Sequence, residues 1–396
     1  MVSSGMVVFR VPTASSFRLS LTRFPFANPS LVGSYFSYIS FFAGDALSSP
    51  THWYYGGKRQ IVADYGHEII DYTKPNRRLA GSILNKSNIY GGGRSGYGSK
   101  SISIIGDVIN HGKKDLWSPT QSIHYHATLE KGENTLEAQL ARVLMKSIVQ
   151  SGGKFDANHF RNMYVQFMTT PGSHNDTYAS TCHRMFFANM IYNQLPPEQC
   201  PDNDHHNVDT VDGLVLPTLV AMSQVGNHSS ENVAIVASKC ASVTRESSVL
   251  ERTAGLWAQV VASSIQESDD TNFANTLSSF SQHFLARRPN PNVNDASTMS
   301  ACYLQQSLPG LVDMTSKYVS TDNGVWQGLL ANANTGGENV HRGSVLGAIL
   351  GARAGESKLP AKLIQGLYAH SEIAKEIDDF VQAVLPRKET CDINKM

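Results

Sequence analysis

The stretch that most restricts the fold is GSVLGAILGA at 343–352, which spaces three glycines four residues apart. Positions four apart share one face of an α-helix, so Gly343, Gly347 and Gly351 form a stripe without side chains. Such a stripe lets the backbone of another helix approach closely. We therefore predict a rigid helix in the core of the protein.

Helical periodicity recurs along most of the chain. Between 134 and 153 apolar residues repeat at helical spacing, and Gly152 and Gly153 suit a left-handed cap at the end of that helix. Asp156 is placed to cap the next one. The apolar run 31–43 is too short and too rich in serine to span a membrane, so we interpret it as a core helix. Further helices are predicted at 211–224, 232–243, 253–265 and 272–285.

One segment, SIHYHATL at 122–129, alternates apolar and polar residues as a β-strand does. In a strand His124 and His126 would lie on one face. They could then ligate a metal, or belong to a hairpin that turns its polar residues to solvent.

Composition excludes some classes of function. Lys+Arg and Asp+Glu both number 33 and charged residues make up 17%, so there is no basic field for a nucleic acid. The five cysteines are widely spaced, which indicates neither a zinc knuckle nor a disulfide framework. We expect an intracellular monomer that binds neither nucleic acid nor membrane.

The middle of the chain has no linker-like segment, so we predict one large domain at 29–385 with a tail at 386–396. Residues 1–28 contain arginines, serines and threonines but no acid, which favours either a transit peptide or a disordered start. A transit peptide would direct the protein to a mitochondrion or plastid, and its absence would leave the protein in the cytoplasm. The glycine-rich segment 90–99 is interpreted as a flexible loop.

Three polar clusters, at 171–190, 200–214 and 335–342, each lead into an apolar helix. Asn, Asp and Ser often do no more than cap helices and close turns, which is one interpretation. The other is a shared site, because helix N-termini that converge can hold phosphates or arrange acids around a metal.

Four motifs resemble, in order and spacing, the signature regions of the ADP-ribosylglycohydrolase family. They are FFAGDALSSPTHWYY at 41–55, KGENTLEAQLA at 131–141, VDGLVLPTLVAM at 211–222 and TGGENVHRGSVLGAILGA at 335–352. The resemblance runs from about residue 40 to about residue 380. The loops at 124–136, 171–189 and 201–207 look most like the branch that holds the J crystallins and selenoprotein J.

The resemblance implies an all-α fold, a single large orthogonal helical bundle, with a pocket at the ends of several helices. It also implies that the pocket binds ADP-ribose beside two magnesium ions. Active members release ADP-ribose from a modified side chain or another leaving group. The implied partner is therefore ADP-ribose, or a small molecule or protein that carries it.

The departures from the family pattern concern chemistry. Gly44 and Asp45 keep the family's GD, but His52 replaces a glutamate. TDDT becomes Gly132, Glu133, Asn134, Thr135. GGDTDT becomes Gly336, Gly337, Glu338, Asn339, Val340, His341, so an apolar residue replaces one aspartate. Since magnesium requires oxygen ligands, this set suits one ion better than two.

The resemblance therefore gives a set of candidate residues. The predicted metal ligands, for one or two Mg²⁺ ions, are Glu133, Asn134, Thr135 and Glu338. The predicted catalytic residues are Glu133, Glu338 and His52. The predicted substrate-binding residues are Asp45, His174, Asn175, Asp176, Asp212, Gly213, Gly336, Gly337, His341 and Arg342.

Two hypotheses about function follow. The first is a hydrolase that cleaves an N- or O-glycosidic bond of ADP-ribose or a related conjugate. The second is a non-catalytic relative, either an ADP-ribose-binding module or a structural protein of the crystallin kind. Retention of Glu133 and Glu338 favours the first, and the changes at Asn134 and Val340 favour the second.

Overall fold

A computed structural model describes residues 29–92, 100–205, 207–224, 230–354 and 360–384. The predictions for residues 1–28, for most of the loop at 90–99, for His206 and for the tail at 386–396 lie outside these ranges. The α-helices are α1 (Pro29–Ser48), α2 (Gly57–Tyr65), α3 (Leu136–Gln150), α4 (Ala157–Thr169), α5 (Thr181–Tyr192), α6 (Val215–Ser223), α7 (Ser230–Ala241), α8 (Ser248–Gln266), α9 (Asp270–Leu285), α10 (Leu304–Tyr318), α11 (Gly324–Thr335), α12 (Val340–Ala354), α13 (Ala361–Gln365) and α14 (His370–Val384).

The all-α prediction is confirmed, since within the described ranges the chain forms no β-strand and only three isolated bridges. No helix among the same residues is long and apolar enough to cross a membrane. The helices predicted from periodicity are present, among them α1, α3 and α6 to α9. Gly152 and Gly153 follow α3 with positive φ angles of 67° and 86°. The Asp156 carboxylate caps α4, where it accepts from the backbone amides of Asn158 and His159 at 2.8 and 2.9 Å.

The glycine stripe of α12 packs directly on α1, as its spacing predicts. A methyl group on Gly347 would overlap the carbonyl of Ser40, and one on Gly351 would overlap the carbonyl of Phe36. At Gly343 it would lie 2.5 Å from the oxygen of Gly44. Both helices are buried along this contact, so they form the centre of the core.

The strand prediction at 122–129 is wrong, because this segment forms a turn after a single bridge between Ile123 and Arg78. His124 and His126 are 0% and 1% exposed, so the interpretation in which they face solvent is wrong as well. Instead, the His126 amide donates to His124 Nδ1 at 2.9 Å, and His124 Nε2 donates to the carbonyl of Pro50 at 3.1 Å. The alternation of apolar and polar residues at 122–129 therefore does not separate a solvent-exposed face from a buried one.

Candidate functional site

A cavity of about 260 Å³ lies where several helices begin. One wall is aromatic, formed by Trp53, Tyr55, Tyr125 and Tyr178. The polar side chains that line it come from distant parts of the chain and include Arg184, Asp212, Cys302, Glu338 and His341. A mixture of aromatic faces and a few converging polar groups is typical of a small-molecule site.

Gly336 and Gly337 bring Glu338 next to the residues that follow α1. Their φ angles are 73° and 63°, a region that favours glycine. The Gly337 carbonyl accepts from the amide of Trp53 at 2.8 Å, and the Gly337 amide donates to the Tyr54 carbonyl at 3.3 Å. These two glycines, predicted to bind substrate, therefore act here as a backbone bridge that sets His52 beside Glu338.

Five buried side chains form what we call the histidine–carboxylate chain. Asp176 Oδ1 bonds to His126 Nδ1 at 2.8 Å, and His126 Nε2 lies 2.6 Å from His52 Nδ1. His52 Nε2 is 3.0 Å from Glu338 Oε2, and His341 Nδ1 donates to Glu338 Oε1 at 2.8 Å. All five side chains are at least 97% buried. Glu338 and His341, at one end, line the cavity.

Both carboxylates of the chain lie at helix N-termini. Asp176 Oδ2 accepts from the amide of Leu136, the first residue of α3, at 2.8 Å. Glu338 Oε1 accepts from the amide of His341 in the first turn of α12 at 3.3 Å. Free amides and the helix dipole stabilise negative charge at such positions. The chain therefore links the beginnings of two helices through two imidazole rings.

The charges of the chain follow from these contacts. Burial alone would raise the pKa of Glu338, but His341 and His52 outweigh burial and hold it well below its usual value. Burial alone would lower the pKa of His341, but Glu338 raises it to about 10. Burial lowers the pKa of His52 to about 4 in spite of Glu338. At neutral pH Glu338 is therefore a carboxylate paired with an imidazolium at His341.

Proton counting gives a second constraint. Three hydrogen bonds join Asp176, His126, His52 and Glu338 in series. Two neutral imidazoles carry only two protons, whereas three bonds between two carboxylates require three. The three bonds therefore require one proton more than two neutral imidazoles carry.

Asp45 is enclosed away from the cavity. It accepts from the side-chain amide of Asn134 at 2.8 Å, and from the Thr135 amide at 2.8 Å and hydroxyl at 2.6 Å. The Asn134 amide also donates to the carbonyl of Phe42 at 2.8 Å. Burial raises the pKa of Asp45 although these bonds oppose the rise. The three residues therefore join α1 to the beginning of α3.

Glu133 and Glu338 line different cavities. Glu133 lines a second one of about 630 Å³, together with His174, Asn175 and Lys113. Its carboxylate accepts from the amide of Glu130 at 2.7 Å and from the side chain of Asn175 at 3.1 Å. The structure thus divides the candidate residues between two cavities, with Asp176 bonded inside the chain.

The remaining candidates have separate positions. Asp212 lines the first cavity and pairs with Arg245, with N to O distances of 3.1 and 3.2 Å. Gly213 is packed under Leu250, whose Cδ2 would lie 2.5 Å from an added methyl group. Arg342 is fully buried and donates to Asn332 Oδ1 at 2.7 Å and the Thr298 carbonyl at 2.6 Å. Arg342 is therefore a core residue, and burial lowers its pKa to about 10.

Several residues of the site were not among the candidates. The four residues of the aromatic wall lie in the segments 41–55, 122–129 and 171–190, but no local pattern shows that they share one cavity. Cys302 carries no local signal. Arg184 lies within the polar cluster at 171–190, which was the signal available for it. Its guanidinium donates to the carbonyls of Asn88, Gly91 and Ala179 at 2.5, 3.0 and 3.2 Å.

One group of the described residues has atoms close enough to share a metal ion. The ligand atoms of His52, Glu338 and His341 lie within 4.8 Å of one another. Magnesium prefers six oxygens, whereas this group offers two nitrogens and one carboxylate. The carboxylates of Asp45 and Glu133 are held elsewhere by other donors. These residues do not fit a pair of magnesium ions.

Comparison with known proteins identifies the class to which this fold and site belong. The ADP-ribosylglycohydrolase family model matches residues 37–390, so the chain belongs to that family. A solved structure described as an ADP-ribosylglycohydrolase-related protein complex is 14% identical, with a TM-score of 0.52 over 90% of this chain and 99% of that one. This likeness confirms the fold. A comparison with curated protein sequences gives no match.

Proposed function

We propose that the protein is a hydrolase that cleaves an N- or O-glycosidic bond of ADP-ribose or a related nucleotide conjugate in the first cavity. Membership of the family supports this class of reaction. The observation that carries the proposal is Glu338, a buried carboxylate that two histidines orient at the wall of an aromatic cavity.

The cavity has suitable groups for each part of such a ligand. The aromatic wall offers faces for a base or ribose ring. Arg184 contributes a cation whose hydrogen bonds go to carbonyls and to the Thr181 hydroxyl, so these bonds do not neutralise its charge. A diphosphate is the part of the ligand that such a cation favours.

Glu338 and His341 supply the chemistry. Glycosidic cleavage develops positive charge at the anomeric carbon, which a fixed carboxylate such as Glu338 stabilises. His341 Nδ1–H is donated to Glu338, so the Nε2–H of the imidazolium is the proton available to the departing atom, and His52 holds the other oxygen of Glu338 in place. A water then adds to the anomeric carbon and gives its proton back to His341. The position of Glu133 in the second cavity gives no support to its predicted catalytic role.

Hydrolysis assays test the proposal. Purified protein is incubated with ADP-ribosyl-arginine and with peptides ADP-ribosylated on serine, and released ADP-ribose is measured by chromatography. Replacement of Glu338 by Gln removes the charge but keeps the shape, and we expect kcat to fall by about 10²-fold or more. Glu133→Gln is the matched control and should retain activity. Equal activity of wild type and Glu338→Gln would refute the assignment.

The alternative is a non-catalytic relative, either an ADP-ribose-binding module or a structural protein like the J crystallins. The buried valine at position 340 favours it, because it replaces an aspartate of the family pattern. The enclosure of Asp45 favours it as well, because a predicted substrate-binding acid is kept out of the cavity. Binding of ADP-ribose without turnover of any conjugate would support the binding module. The likeness to the J crystallin and selenoprotein J branch remains a prediction, as does magnesium.

A further inference from the structure

We infer that the histidine–carboxylate chain takes the place of the divalent cations expected from the family, so that the first cavity binds its nucleotide ligand without a metal ion. The ligand named here rests on the proposed function. The inference about the metal rests on the contacts within the histidine–carboxylate chain.

Both oxygens of Glu338 are already engaged. One lies 3.0 Å from His52 Nε2 and the other 2.8 Å from His341 Nδ1. A cation that bound Glu338 together with either of these ring nitrogens would have to break one of these bonds. His52 cannot turn to a new partner without a second loss, since its Nδ1 is 2.6 Å from His126 Nε2.

The other acids that a magnesium pair would need are also satisfied by protein donors. Asp45 accepts three hydrogen bonds, and the Glu133 carboxylate accepts a backbone amide and a side-chain amide. A dication repays the cost of its own dehydration only through several anionic oxygens. Glu133 lines the other cavity, and Asp212, which lines the first cavity with Glu338, is paired with Arg245 at 3.1 Å.

The histidine–carboxylate chain holds the carboxylates in a fixed orientation, which a bound cation would otherwise do. Asp176 and Glu338 rest on the amides that begin α3 and α12, which fixes both acids. His126 and His52 join the acids through parallel rings at an interplanar angle of 6°. Glu338 is therefore oriented toward the cavity before any ligand or ion arrives.

Thermal melting of the full-length protein tests the inference without relying on activity. Midpoints are measured in EDTA and with an excess of Mg²⁺, Mn²⁺ or Zn²⁺, for wild type and for Glu338→Gln. We expect each metal to leave the wild-type midpoint unchanged. A metal bound to this cluster would raise it by several degrees, because an ion that binds only the folded state stabilises it.

The variant decides where any stabilising metal binds. If a metal raises the melting midpoint of wild type but not that of Glu338→Gln, the inference is overturned, because binding of the metal then depends on the histidine–carboxylate chain. A rise that is equal in both proteins places the ion elsewhere and agrees with the inference.

Calorimetric titration with ADP-ribose adds a test of binding. In EDTA and in Mg²⁺ we expect the same Kd, whereas binding about tenfold weaker or more in EDTA would overturn the inference. Absence of binding in both buffers would count against the proposed ligand class. The melting data would still decide the question of the metal.

Discussion

Replacement of Gly347 by alanine should destabilise the protein through the contact between α1 and α12. The new methyl group would lie 2.7 Å from the carbonyl carbon of Ser40 and 3.2 Å from the amide nitrogen of Phe41, and nearer still to the Ser40 oxygen. These are backbone atoms, so the overlap can be relieved only by moving one helix. Overpacking of this kind costs about 1–3 kcal/mol and sometimes more.

Two opposing effects set the net magnitude. Alanine gains about 0.5–1 kcal/mol over glycine within a helix. Because the overlap is with backbone, we take the upper end of the overpacking cost and expect a net loss of about 2 kcal/mol in the free energy of unfolding. For a domain of this size such a loss corresponds to a fall in Tm of about 4 °C or less. Urea denaturation monitored by circular dichroism measures the free energy, and calorimetry measures Tm.

Gly255 on α8 provides the matched control. An added methyl group there would meet the Ser238 hydroxyl at 2.7 Å, an atom at the end of a side chain that can turn, and the Ala234 oxygen at 3.2 Å. Turning the Ser238 hydroxyl breaks its bond to the Glu251 carbonyl, and the helix gain of alanine offsets that loss, so Gly255→Ala should be close to neutral. If Gly347→Ala unfolds at the same urea concentration as Gly255→Ala, the two helices are not in backbone contact and our reasoning is refuted.

Two further predictions concern buried charges. Because the pKa of His341 is about 10 in the folded protein and near 6.5 when unfolded, its contribution to stability is complete below pH 6.5 and is lost toward pH 10. The fall in Tm over that range should be smaller in His341→Gln, and parallel curves would contradict the assignment. Arg245→Met leaves the buried Asp212 unpaired and should cost about 3–5 kcal/mol in urea denaturation. Adding Asp212→Asn should recover part of the loss, and a neutral single variant would argue against the ion pair.

Local patterns predict the helices well. The spacing of Gly343, Gly347 and Gly351 predicts both the helix and the backbone contact it makes, because the i, i+4 relation contains that geometry. The strand prediction at 122–129 fails because alternation indicates a strand only where one face is exposed. His124 and His126 are buried like their apolar neighbours and find partners in the Pro50 carbonyl and in His52.

The candidate site was only partly predictable. The importance of His52, Glu338 and His341 follows from their places in motifs. Their arrangement does not, because His126 lies 74 residues from His52 and 50 from Asp176, and only the tertiary fold brings them together. The motifs also predict one shared site for acids that the structure separates, because the local direction of the backbone determines which cavity each carboxylate lines. Glu133 is the example, held by Glu130 and Asn175.

The backbone contact between α1 and α12 also limits how the protein can move. Because no side chains separate α1 and α12 at the glycine stripe, there is no deformable layer that would let one helix shift against the other. The two helices should therefore move as one body. His52 directly follows one of these helices and its short 3₁₀ extension, and Glu338 lies two residues before the start of the other. Entry of a ligand should therefore leave this pair at a fixed separation. Opening and closing then fall to the lining segments outside these two helices, among them those that carry Tyr178 and Cys302.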